Sequence, residues 1–164
     1  SSIGTSTEMI QGQFNLTKIG NEEVVNGDFA TDSDWGKGTG WTISGGTANF
    51  DSVGQVSNSL LQQSLGINIS GISNIDFTEG ENTYYWNNGS LNFKLTFTFT
   101  RTSGTNRIRV ISSGTILYFS ALNGDNLVGS IDNVSVKEVR ATTVEASKCL
   151  ADAIHRIGIQ DIQN

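Results

Sequence analysis

A chain of 164 residues is long enough for one domain with a sizeable core, yet its hydrophobic (36%) and charged (16%) shares both fall below globular averages. Ser, Thr, Asn and 19 glycines fill the gap and proline is absent, so this is no proline-rich stalk and Gly and Asn must make the turns. A net charge of −6, with ten Lys and Arg scattered among sixteen Asp and Glu, argues against a nucleic-acid partner, because phosphate neutralisation needs clustered cations.

Taken in chain order, residues 1–22 read as a polar arm whose sizeable apolar residues are Met9, Ile10, Phe14, Leu16 and Ile19. So sparse an arm must dock on this domain or on a neighbour. Residues 23–140 carry period-2 patterning between turn clusters. The pattern predicts strands at Glu23–Phe29, Gly40–Ser44, Thr47–Asp51, Val56–Gln63, Asn92–Arg101, Arg107–Ile111, Ile116–Ala121 and Ile131–Val139. The plainest is Asn92–Arg101, where Phe93, Leu95, Phe97 and Phe99 alternate with Lys94, Thr96, Thr98 and Thr100. Turn chemistry falls at Ser44-Gly45-Gly46, Ser103-Gly104-Thr105, Ser112-Ser113-Gly114 and Asn123-Gly124-Asp125. Roughly eight short strands so spaced predict an all-β sandwich or barrel.

Residues 141–164 change period. Thr142 and Glu145 have capping-box spacing, and Ala146, Leu150, Ala153, Ile154 and Ile157 recur along one helical face until Gly158. A short C-terminal amphipathic helix is predicted. Its stripe needs a partner, either this chain's own sandwich or a neighbouring subunit. Leu150, Ile154 and Ile157, with Phe14 of the arm, are the expected assembly contacts. The stripe is too narrow, and its polar face too poor in cations, for a membrane anchor. No run nears the roughly 20 apolar residues of a membrane span, and no signal segment opens the chain, so synthesis in a cytoplasm is expected.

Chemistry is thinly signposted. The single Cys149 allows no internal disulfide. It and the single His155 are six residues apart, on nearly opposite sides of the predicted helix, so they make no nucleophile–base pair and supply a zinc site poorly. Gly36-Lys37-Gly38-Thr39-Gly40 is no phosphate loop, since its lysine is misplaced and no helix follows. Tyr84, Tyr85 and Trp86 lie in a polar loop, Glu79–Ser90, beside Asn82, Asn87 and Asn88. Exposed rings beside amides suit a sugar, whose CH faces stack while its hydroxyls bond. The alternative is a strand whose rings pack inward. Trp41 is assigned to the core and Trp35 to the surface. In the closing strand, counting by two puts Asp132 on the inward face with Val134 and Val136, where a carboxylate needs hydrogen bonds or a cation.

Val24-Val25-Asn26-Gly27-Asp28-Phe29 with Gly40-Trp41-Thr42-Ile43, the Leu60-Leu61-Gln62-Gln63-Ser64 segment, and Gly129-Ser130-Ile131-Asp132-Asn133-Val134-Ser135-Val136 follow one another in a set order. Together they resemble the carbohydrate-binding-module-like, galactose-binding-like jelly rolls, and the last segment resembles the closing strand of such domains in bacteriophage structural proteins. The resemblance implies a jelly-roll sandwich over residues 23–139, with an extended N-terminal arm and a C-terminal helix. It departs at 67–90, which is longer and more polar than the usual link. It also implies that Asn26 and Asp28 could join Asp132 around a structural calcium, against the reading that Asp132 simply accepts backbone N–H groups. No cofactor is otherwise required.

The function that follows is a non-enzymatic virion component, a capsid decoration or head-fibre subunit and a homo-oligomer held by other virion proteins. The alternatives are a tail fibre or receptor-binding subunit, or a glycan-binding module gripping sugars weakly through Tyr84, Tyr85, Trp86 and Trp35. A hydrolase is the remotest. No nucleic-acid or membrane partner is expected.

Overall fold

The structure, a computed structural model, describes residues 17–53, 57–105, 108–121 and 127–141. Phe14, Leu150, Ile154, Ile157 and the predicted C-terminal helix lie outside the described residues. The chain divides into two units, 21–138 and 1–20 with 139–164. Of the second, only the ends of two strands are described.

The described chain is all-β. Eleven strands follow in order: β1 Thr17–Glu22, β2 Gly36–Lys37, β3 Trp41–Ser44, β4 Thr47–Asp51, β5 Ser59–Ser64, β6 Ile75–Phe77, β7 Gly80–Asn87, β8 Asn92–Ser103, β9 Ile108–Ser113, β10 Ile116–Ala121 and β11 Val128–Ala141. They form two antiparallel sheets. The larger runs β3-β4-β11-β8-β7, with β1 also paired to β11; the smaller runs β2-β5-β10-β9-β6.

Alternation places the core between them. On β8, Phe93, Leu95, Phe97 and Phe99 are buried while Lys94, Thr96 and Thr98 are half-exposed, so one face is core and the other is water-facing. Phe97 meets Phe77 of β6 at 5.0 Å and Phe119 of β10 at 5.1 Å, both edge-on, so rings from the two sheets interdigitate as in a β-sandwich. The β3–β4 hairpin turns on Gly45 and Gly46, whose φ values of 64° and 79° suit the type I′ turn that the Ser44↔Thr47 pairing requires.

Three expectations need correction. The first is that Glu23–Phe29 forms a strand. The strand instead ends at Glu22, with one further bond from the Glu23 N–H to the Val136 carbonyl, and the chain turns into a loop because Asn26 and Phe29 take left-handed φ values of 54° and 52°. Val24 and Phe29 still reach the core from that loop. The second is the polar loop at 79–90, most of which is strand β7, paired along β8 from Gly80↔Phe99 to Asn87↔Asn92. The third concerns Asp132. Between Asp132↔Thr98 and Ser135↔Thr96, two residues of β11 oppose the single residue Phe97. That is a β-bulge, opened by Asn133 at φ 54°. The extra residue shifts parity, so Ile131, Val134 and Val136 all point inward and Asp132 stands with Asn133 on the outer side. Its Oδ1 accepts the Asn133 N–H at 2.7 Å.

The left-handed site is cheap for Asn and Gly and costs other L-residues about 1–2 kcal/mol, most of all β-branched ones. Asn133→Gly is expected to keep the urea-unfolding midpoint close to wild type, whereas Asn133→Val should lose about 1–2 kcal/mol. Equal behaviour of the two variants would show that the bulge does not fix the strand.

Candidate functional site

The outer face of the larger sheet is polar, and the strand register arranges it in rows. Asp132, Thr98 and Glu81 form one row across β11, β8 and β7; Ser135, Thr96 and Thr83 form the next; Lys137, Lys94 and Tyr85 form a third. Neighbours within a row are roughly 5 Å apart and successive rows roughly 7 Å apart. The Asn133 bulge falls between the first two rows and adds an amide to them.

Next to the bulge the face sinks into an open hollow of about 570 Å³, lined by Glu22, Asn26, Thr96, Asn133, Ser135 and Lys137 among others. That volume lies within the roughly 300–1,000 Å³ of small-ligand sites. A second depression of about 320 Å³ shares Thr96 and Asn133 and extends to Glu81 and Thr83. Among the described residues, the side chains of Thr96, Asn133, Ser135 and Lys137 make no hydrogen bond or ion pair. Glu22 is committed, since its Oε2 accepts the N–H groups of Val24 (3.3 Å) and Val136 (2.9 Å). Two strands across from Lys137, Tyr85 is 61% exposed, with the Lys94 Nζ 5.8 Å from its ring centroid.

Scans against protein-family models and searches of curated proteins and solved structures find no match. The site therefore stands on its own geometry.

Among the four aromatic residues singled out in the sequence, only Tyr85 presents its ring to solvent. Trp86 points inward, 7% exposed, and donates its indole N–H to the Ile69 carbonyl at 2.9 Å. Tyr84 shares the inward side of β7, stacked on Trp86 at 6.3 Å and edge-on to Phe77. Trp35, expected at the surface, is 6% exposed; it packs on Phe29 and Phe119 and donates to the Asn26 carbonyl. Alternation along β7 causes the split, since Glu81, Thr83, Tyr85 and Asn87 are exposed while Asn82, Tyr84 and Trp86 turn towards the core.

Asn26 and Asp28 border the same hollow as Asn133. Each has local work. Asn26 donates to the carbonyls of Thr31 and Ser33 and accepts the Thr31 N–H, and Asp28 accepts the Ala30 N–H. Asp132, bonded to its neighbour's N–H, is not among the residues lining the hollow with them. Among the described residues, no cluster of three His, Cys, Asp or Glu is placed to hold a metal ion.

Thr96, Asn133, Ser135 and Lys137 line the hollow and Lys94 stands in the row beside it, and sequence reasoning did not select them. The signal for Lys94 and Thr96 was present in the alternation of β8, where they read only as the face turned to water.

Proposed function

We propose that this chain is a non-catalytic β-sandwich of jelly-roll topology, a structural component of a bacteriophage particle, which presents the outer face of its larger sheet to a saccharide. The observation that carries the binding role is an exposed ring, Tyr85, on the same face as a polar hollow whose Thr96, Asn133, Ser135 and Lys137 side chains have no partner among the described residues. A pyranose matches that combination, offering a CH face to the ring and hydroxyls to the polar groups. The jelly-roll reading draws support from the passage of the chain between sheets at β4–β5, β6–β7, β8–β9 and β10–β11. The particle reading rests on the likeness of Gly129–Val136 to the closing strand of phage structural domains. Capsid decoration or a head fibre fits it best. In that setting the chain assembles with other virion proteins as a homo-oligomer and requires no cofactor.

A glycan array tests the binding role. The wild type is expected to bind a subset of glycans, and Tyr85→Ala should weaken those signals about tenfold, the equivalent of some 1.4 kcal/mol of ring contact. Because Tyr85 is exposed, its melting temperature should not move. Glycan binding that survives Tyr85→Ala would place recognition elsewhere, and no binding at all would leave display alone.

A further inference from the structure

The third row of the outer face sets Lys137 directly opposite Lys94, and Lys94 directly opposite Tyr85. Two like charges facing each other across a ladder repel, with Cβ atoms roughly 4.5–5.5 Å apart. The chain as a whole is acidic, with net charge −6, so carboxylates that could neutralise the pair are plentiful. Several are engaged with other groups, although Glu22 and Asp28 line the hollow beside Lys137. Asp32 holds Lys37 and Asp76 holds Arg109, while Glu22 is taken up by two backbone N–H groups. The acidic row of Asp132 and Glu81 stands two rows away, roughly 13 Å, beyond ion-pair range. Neither lysine makes an ion pair among the described residues. The result is a spot of two facing ammonium groups, set between the Tyr85 ring and a hollow that Glu22 and Asp28 also line.

We infer that the ligand of this face is an acidic saccharide, a sugar ring bearing a carboxylate, whose carboxylate is held between Lys94 and Lys137. This deepens the saccharide reading and rests on it. The ring of such a sugar stacks on Tyr85, its two carboxylate oxygens each take an ammonium, and its hydroxyls reach Thr96, Ser135 and Asn133. A carboxylate bridging the two ammonium groups replaces their repulsion with two charge-assisted hydrogen bonds. The exposed setting keeps the gain modest and sensitive to salt.

The test uses the full chain and an array of uronic-acid- and sialic-acid-terminated glycans, each printed beside its carboxyl-reduced counterpart, with poly-glutamate as a non-saccharide polyanion. The wild type is expected to bind the carboxylated member of at least one pair about tenfold more tightly than its reduced twin, with the preference fading as salt rises. The double variant Lys94→Gln, Lys137→Gln should lose that preference, keep the residual binding of the reduced form and melt at the wild-type temperature. Equal binding of both members of every pair, still dependent on Tyr85, would overturn the acidic ligand while sparing the saccharide reading. Poly-glutamate binding as strongly as the carboxylated glycans, with no effect of Tyr85→Ala, would reduce the spot to a general anion patch and overturn the inference. Silence of every glycan would overturn this inference and the saccharide reading together.

Discussion

Trp86→Ala is expected to remove about 3–5 kcal/mol of stability, the usual cost of emptying a buried aromatic site. Its indole rests against Tyr84 and Phe93, ring centroids 6.3 and 5.4 Å away, and its N–H is bonded to the Ile69 carbonyl. The side chain also supports the segment before β6. Ile69 and Ile72 are buried there, and a Cβ on Gly71 would lie 3.1 Å from the indole Cδ1. Truncation therefore opens a cavity, leaves the Ile69 carbonyl without its donor and loosens the segment at once. Since whole domains are stable by only about 5–15 kcal/mol, the variant should melt far below wild type or fail to accumulate folded. Tyr85→Ala, one residue away, should leave the midpoint in place. A loss below about 1 kcal/mol for Trp86→Ala in urea titration would contradict the packing described for β7. The contrast also means that binding lost in a Trp86 variant reports on folding, and only Tyr85 reports on recognition.

Gln63→Leu is expected to cost about 2–3 kcal/mol despite adding apolar surface. Gln63 is 7% exposed on β5, and its amide makes three hydrogen bonds, from the Val25 N–H and to the carbonyls of Val25 and Asp34. Leucine fills similar space but strips partners from three backbone groups, each worth about 1–3 kcal/mol if left unmet and buried. The damage should centre on residues 25–34, seen as faster amide exchange there and as a red shift of Trp35 emission. Gln63→Glu keeps an acceptor but turns a buried carboxylate towards the carbonyls of Val25 and Asp34, so it should cost at least as much as Leu. Wild-type exchange in the loop of the Leu variant would show that something else holds it.

That glutamine belongs to a joint where residues 24–29, 60–64 and 129–136 meet. Gln63, from the Leu60–Ser64 segment, ties down the opening loop. The closing strand reaches the same loop, where the Val134 N–H donates to the Gly27 carbonyl at 2.9 Å. Gly27 admits no side chain, for its Cβ would lie 2.0 Å from the Val134 oxygen. The recognisable residues thus meet at one structural joint. They specify how the loop is fastened, and the polar rows beside it can vary without disturbing that joint. This is why fold class was legible in the sequence and the face was not.

The alternation of Phe93, Leu95, Phe97 and Phe99 announced β8 because its two faces differ sharply. On β7 the inward set includes Asn82 and Tyr84, polar enough to blur the period, so the segment could be read as a polar loop or as the strand with inward rings that it is. The opening failed in the other direction. Val24 and Phe29 are apolar and buried, but the left-handed Asn26 and Phe29 between and beside them break the extension that their spacing implied. The outward turn of Asp132 was hidden because a bulge leaves little trace in a sequence beyond an Asn able to sit at positive φ.

Strand β11 is the last of the described strands and lies inside the larger sheet, with β8 along one side and both β4 and β1 along the other. The bond from the Val136 N–H to Glu22 closes a separation of 114 residues. Until residues 128–141 have emerged from a ribosome, β4 and β8 each carry an unpaired inner edge, the kind of template on which chains join one another. Folding must also meet the entropy of long-range closure before the sheet repays it, which places the domain among the slow, high-contact-order topologies. A nascent chain of this kind depends on its polar surface to stay apart from its neighbours while it waits for its final strand.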